Sequence, residues 1–345
     1  MQSALLDVAT DVLLAAPNAA TDALAWLVVL TFLVGAGMEW AARTGRLDAG
    51  YVRTARGVVA GAWAMFALFW LVLFPHFAFA QKSYVEGILA IVAVPACLYV
   101  AKLLWEGRDS LFVLSRAVAG MGLVYLPFET IPSVSLFGTA YPAPKAALIR
   151  TVTVQTGVLI RLLGYDPELV RGPELGYLNA FQFTTAGGHT LLFEIVLACT
   201  GLGSIAIFVG LIGAVRAPLG RKLRGLAIAV PVIWSLNLVR TTFIGVTFGN
   251  QYLQVFVDEV LFLFGSSDPY MVSFFLSDRV ISQVLAVVAL VGVTYLVVRE
   301  LPELLTVIED VLYLVTNEEY DLHGSLDLPE ESARGPMRTD GSDSE

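Results

Sequence analysis

Charge is scarce in this chain. Of 345 residues only 15% are Asp, Glu, Lys or Arg, against 57% hydrophobic, and the mean hydropathy is +0.74. A water-soluble domain of that composition would lack the polar surface to stay in solution, so an ordinary soluble enzyme is excluded and a polytopic membrane protein is indicated. Lysine is rarer still, 4 residues against 17 arginines, a balance suited to concentrated salt. The two cysteines, Cys97 and Cys199, are too few for a disulfide framework. Asp7 and Asp11 stand where a basic n-region would be, so no cleavable signal peptide is expected. No metal or other cofactor is expected.

The formal net charge of −9 argues at first against nucleic acid or anionic lipid as partners. It is unevenly spread, however. Residues 299–345 hold 13 acidic and 3 basic groups, a net of −10, which leaves 17 acidic and 18 basic groups, a net of +1, in the other 298 residues. The acidity belongs to a tail, and nucleic acid remains unsupported as a partner.

Crossing about 30 Å of hydrocarbon takes roughly 20 apolar residues. Seven runs qualify: 23–40, 57–74, 84–104, 111–128, 190–215, 226–247 and 280–298. The fold class is therefore an all-α polytopic membrane protein with about seven transmembrane helices, or eight if the amphipathic segment 1–16 inserts rather than lying at the interface. The loops after the first, third and fifth runs carry Arg43, Arg46, Arg53 and Arg56, then Arg108, then Arg216, Arg221, Lys222 and Arg224. Of the alternate loops, the short one holds only Lys82 and 249–278 holds no basic residue, while 129–189 holds four scattered ones but is too long for such counting. Basic loops mark the cytoplasmic side, so the N-terminus is expected outside and the C-terminus inside a cell membrane. Residues 143–163 and 252–264 read as amphipathic helices lying on the outer face. The domain division that follows is a transmembrane catalytic domain over 1–298, a short cytoplasmic helix over 299–316 and a disordered acidic tail over 317–345. There is no internal repeat of the kind that builds inverted-repeat carriers.

Ionisable groups inside a span are costly and worth attention. With a rise of about 1.5 Å per residue, Cys199, Arg240 and Arg279 lie roughly 24, 21 and 28 Å above the cytoplasmic boundary, all in the outer third. A buried thiol resists ionisation, whereas arginine keeps its charge on burial, so one guanidinium can hold a thiolate and a second can hold a substrate or an oxyanion. Each residue also has a plainer reading. A lone transmembrane cysteine usually packs as a small apolar residue, which is the reading kept for Cys97. Arg279 would be a rim residue paired with Asp278 or a lipid phosphate, and Arg116 would snorkel to the cytoplasmic face. Arg240, deep in an apolar run, has no carboxylate within a helical turn, and Glu194 is a candidate structural partner. His189 would sit roughly 15 Å from Cys199 along a continuous helix, unless Gly187 and Gly188 break it.

The Ala198-Cys199-Thr200-Gly201 turn, followed by Asn237-x-x-Arg240 and then Arg279 at the opening of the last run, resembles the exosortase/archaeosortase family in order and spacing. The likeness extends from the first run to about residue 298. It implies Cys199 as nucleophile through an acyl thioester, Arg240 as thiolate or oxyanion stabiliser, and Arg279 in substrate positioning or proton donation, with Asn237, Thr200, Glu194 and His189 in support. Bacterial exosortases carry histidine at the third position, whereas this chain has Arg279 there, as archaeosortases have arginine, which leaves the proton acceptor unassigned. The resemblance further implies a cysteine protease or transpeptidase that removes a C-terminal signal from exported proteins. That signal consists of a Pro-Gly-Phe motif, a transmembrane helix and a basic end, and the S-layer glycoprotein is the typical substrate. The new C-terminus passes to an archaeal phospholipid acceptor, so the signal helix and membrane lipids are the partners. Two readings stand beside it: an intramembrane cysteine protease with water as acceptor, and a carrier in which Arg240 binds an anionic solute.

Overall fold

The computed structural model describes residues 17–322 apart from 49, 81–83, 137–138 and 186; the amphipathic segment 1–16 and the tail beyond 322 lie outside the described residues. Among the described residues six helices are long and apolar enough to cross a bilayer. The first four are α1 (Ala19–Arg43), α2 (Tyr51–Pro75), α3 (Tyr84–Glu106) and α4 (Leu111–Thr130). The start of α1 is set by Asn18, whose side chain accepts from the backbone N–H of Ala20 at 2.9 Å and Thr21 at 3.2 Å while the Thr21 hydroxyl returns to the Asn18 N–H. These helices share one core around Phe32, Trp63, Leu104 and Phe112. Cys97 is buried in it as a free thiol, and the Trp63 indole is satisfied by Ser115 at 2.9 Å.

The run 190–215 is not a spanning helix. It breaks into a strand (Thr190–Glu194), a 3-10 turn (Leu197–Thr200) and the short helix α6 (Leu202–Ala214) of 13 residues. Two local features cause the break. Leu191 and Phe193 alternate with exposed neighbours, a period of two that suits a half-buried strand. Gly201 then takes φ +75°, a left-handed conformation that glycine adopts without strain.

The strand belongs to a small sheet that apolar periodicity did not announce. Strands β3 (Glu168–Arg171), β4 (Leu178–Thr184) and β5 (Thr190–Glu194) run antiparallel in that order, and a separate two-stranded ribbon joins β1 (Val134–Leu136) to β2 (Thr139–Tyr141). Between ribbon and sheet lies α5 (Pro144–Leu162), close to the helix expected over 143–163.

The long helix α7 (Leu219–Gly249) has 31 residues, so it extends about 46 Å and outruns the hydrocarbon by roughly half. Its last turns are buried all round. There Ile244, Val246 and Phe248 pack with Phe181, Phe183 and Phe193 of the sheet and Ile149 of α5. Sheet and α5 thus form a roof around the projecting end of α7. The roof is tightly built at Gly249, where an added Cβ would stand 2.3 Å from Cγ of Phe183. Gly249→Ala should therefore cost about 1–3 kcal/mol through overpacking. The check is the thermal midpoint of the purified protein, and an unchanged midpoint would show that the ring can move aside.

Helix α8 (Val257–Phe264) is shorter than the expected 252–264, because Phe256 takes φ 52° and starts it late. It carries Asp258 and Glu259 in its first turn and leaves Phe262 90% exposed. The last spanning helix, α9, covers Pro269–Glu300 and contains a π-helical segment, Phe275–Ile281. It packs with α6 and α7 around Ile212, Ala229, Val293 and Val297. A final helix, α10 (Leu305–Thr316), lies against α3 and α4 and is tied there by buried Asp310, which accepts from Ser110 at 2.8 Å and Arg108 at 3.3 Å.

Arg116 extends to the end of the bundle that holds the basic loops, where it donates to the carboxylate of buried Glu39 at 3.0 Å and to the carbonyl of Ala214 at 3.3 Å. A carboxylate within reach gives the guanidinium a partner there.

Candidate functional site

Cys199 sits where the bundle meets the roof, in the 3-10 turn just before α6. The turn is fixed by its backbone. The Cys199 carbonyl accepts from Nδ2 of Asn237 at 2.8 Å, and the Thr241 hydroxyl lies 3.3 Å from it while donating to Asn237 O at 2.8 Å. The spacing of four places both residues on one face of α7. Asn237 fills the space beside Gly201, whose added Cβ would lie 3.0 Å from its side-chain carbon. The Thr200 hydroxyl donates to Leu197 O at 2.6 Å and faces the Leu202 N–H at 3.4 Å, closing the turn onto α6.

The charged partners come from two other stretches of chain. Arg240 follows Asn237 by three residues, and its Nη2 donates to Asp278 Oδ1 at 2.6 Å. Asp278 lies in the π-helical segment of α9. Cys199, half-buried and outside the six spanning helices, feels both charges: burial pushes its thiol pKa up, Arg240 pulls it down, and Asp278 and Glu174 push it up again. Burial dominates, so the resting thiol holds its proton more firmly than a free one. The first-turn N–H groups of α6, which have no partner within the helix, favour negative charge beside the turn.

Several sequence-based expectations change here. Asp278 was expected beside Arg279; it pairs instead with Arg240, because the α7–α9 contact brings them together across 38 positions. Glu194 is not the partner of Arg240. Its carboxylate accepts from the N–H groups of Glu174 at 3.1 Å and Leu175 at 3.2 Å and from Asn179, anchoring a roof loop. His189 stands on no helix. It follows Gly188, at φ +77°, in the hairpin between β4 and β5 and stacks on Tyr270 with ring centroids 4.1 Å apart. Arg279 has its Nε buried without a hydrogen-bond partner and its guanidinium 6.0 Å from the Phe275 ring. Among the described residues no hydrogen bond joins it to Cys199 or Arg240. So Cys199, Thr200, Asn237 and Arg240 form one constellation, Arg279 stands next to it in sequence with an unspent donor, and Glu194 and His189 serve the roof. Thr241 and Asp278 are the members that sequence reasoning missed. The i+4 spacing from Asn237 was a signal for Thr241, but nothing local marked Asp278. Among the described residues no group of three or more His, Cys, Asp and Glu could hold a metal ion.

A multi-pass helical membrane body with one cysteine turn braced by an Asn-x-x-Arg helix defines a membrane-embedded class, and comparison with known proteins gives that class a family. The chain belongs to the transmembrane exosortase family, whose description matches residues 16–270. It is 62% identical to archaeosortase A of Haloferax volcanii over 312 residues, 90% of this chain and 99% of that protein. It is 42% identical to archaeosortase A of Natronomonas pharaonis over 313 residues, 89% of this chain and 93% of that protein. No solved structure matches. The family match ends before Asp278 and Arg279.

Proposed function

We propose that this protein is a membrane-embedded cysteine transpeptidase that cuts C-terminal sorting signals from exported proteins and passes the new C-terminus to a membrane lipid. The observation that carries the reading is the Cys199 turn: its carbonyl is clamped by Asn237, and Arg240 is held on the same helix by Asp278. The names of the two relatives and the family membership support a sortase-like enzyme. The basic ends of α1, α2 and α7 favour the cytoplasm for that face, which supports an outward-facing Cys199 in this reading.

In the proposed reaction the signal helix of the substrate docks laterally beside α6, α7 and α9. The Cys199 thiol loses its proton as sulfur attacks the scissile carbonyl, and the developing oxyanion is met by Arg240 or Arg279. The carbon–nitrogen bond then breaks, the departing amine takes up the proton that the thiol gave up, and an acyl thioester remains. A lipid headgroup nucleophile attacks the thioester, the carbon–sulfur bond breaks as the acyl–lipid bond forms, and the proton of the nucleophile returns to sulfur. Asp278 is engaged by Arg240 at 2.6 Å, so its role in this scheme is to orient that arginine.

The test is a reporter ending in a Pro-Gly-Phe motif, a transmembrane helix and a basic tail, expressed with the enzyme in a lipid background of known composition. Mass spectrometry of the processed C-terminus should find a lipid adduct. A free carboxylate there would assign water as the acceptor and refute the transfer step.

A further inference from the structure

At the end of the bundle away from Cys199, a charged cluster takes no part in the proposed chemistry. Glu39, with 1% of its side chain exposed, sits in the last turns of α1. It receives Arg43 at 2.5 Å, Arg116 of α4 at 3.0 Å and Arg216 of the α6–α7 loop at 3.3 Å. Arg43 reaches on to Asp109 at 3.3 Å, which Arg56 of α2 also holds at 2.7 Å. Four guanidiniums therefore share two carboxylates, an excess of two positive charges. The cluster borders a cavity of about 300 Å³. Glu303, also on its wall, does not offset the excess, because Arg221 occupies it at 2.5 Å.

The donors in this cavity are underused. Arg216 is 66% exposed and gives one N–H to Glu39, out of the five a guanidinium carries. Arg116 gives one to Glu39 and one to the Ala214 carbonyl. Glu39 thus acts as an orienting hub that holds three forks toward one space. Planar guanidinium forks match the oxygens of a phosphate, and an unbalanced, partly desolvated positive charge is relieved by an anion. The cavity also lies at headgroup depth. It is built where α1 ends and α2, α4 and α7 begin, and the exposed indoles of Trp40 and Trp105 mark the same level.

We propose that this cavity binds the phosphate of an anionic membrane lipid, with Arg216 and Arg116 as the principal ligands and Glu39 as the residue that positions them. The chemistry recognised is a phosphate group, and the depth of the site assigns it to a lipid rather than to free phosphate.

The experiment titrates the purified full-length protein in detergent with phosphatidylglycerol, phosphatidylcholine or inorganic phosphate and reads bound species by native mass spectrometry at fixed ionic strength. Phosphatidylglycerol should bind in preference to phosphatidylcholine. Arg216→Gln should weaken it about tenfold, the loss of one charge-assisted hydrogen bond to the phosphate, and Arg216→Lys should fall between. Arg224→Gln removes the same charge from the same end of α7 outside the cavity and should leave affinity unchanged. Equal losses in Arg216→Gln and Arg224→Gln, or equal binding of the two lipids, would overturn the site. Inorganic phosphate competing as well as phosphatidylglycerol would overturn the lipid assignment. Arg216 lies in a loop and is mostly exposed, so its variants should keep the wild-type thermal midpoint without lipid, and Arg216→Lys still reports if Arg216→Gln does not.

Discussion

Cys199→Ala is expected to abolish processing of a reporter bearing the C-terminal signal, with the uncut precursor accumulating. Removing a covalent nucleophile typically costs on the order of 10⁴-fold or more in rate, well beyond what a structural substitution in a folded protein produces. The fold should tolerate the change, because the turn is held through the Cys199 carbonyl by Asn237 and Thr241, and alanine keeps that carbonyl. Equal amounts of wild type and variant in the membrane are part of the expected result. Cys199→Ser should be nearly as inactive, since a hydroxyl without a strong base is a poor nucleophile. A serine variant that processes at close to the wild-type rate would end the thioester reading.

A second large effect is expected at Asp278. Asp278→Ala removes the anchor of Arg240 and should lower processing on the order of 10²-fold, the scale of a misplaced catalytic group. Asp278→Asn keeps an oxygen that Arg240 can donate to and should retain most activity. The two variants should also part in the pH profile of Cys199 alkylation. Asp278 raises the thiol pKa and Arg240 lowers it, with burial raising it most of all. Losing the carboxylate charge while keeping Arg240 in place moves alkylation by iodoacetamide to lower pH in Asp278→Asn. Letting Arg240 swing away moves it to higher pH in Asp278→Ala. If both variants alkylate and process like wild type, Asp278 has no part in positioning Arg240.

Most of the membrane body was legible from the chain because apolar length is a direct reading of bilayer thickness. Runs 23–40, 57–74, 84–104, 111–128, 226–247 and 280–298 all fall within long helices of the structure. The run 190–215 misled for a physical reason. A strand of five residues and a helix of 13 are both apolar, so hydropathy alone fuses them. The Gly187-Gly188 pair and Gly201 were the available signals, because Leu191, Leu192 and Phe193 are all apolar and their alternation is one of burial alone. The site divides similarly. Asn237 and Arg240 were visible as a spaced pair on one helix, with Thr241 four residues on, whereas Asp278 gains its meaning from a contact that no local spacing reports. Glu39 was legible only in part: Arg43 stands at i+4, but Arg116 and Arg216 come from other parts of the sequence.

The shortness of α6 has a consequence for the bilayer itself. A helix of 13 residues is about 20 Å long, some 10 Å less than the hydrocarbon it would need to cross. Above it the chain continues as a turn and a strand, whose backbone polar groups lipid cannot satisfy. The turn above α6 meets that demand with protein: the Cys199 carbonyl is taken up by Asn237 and Thr241 of α7, so the bundle itself supplies the polar partners that a longer helix would have kept within its own backbone.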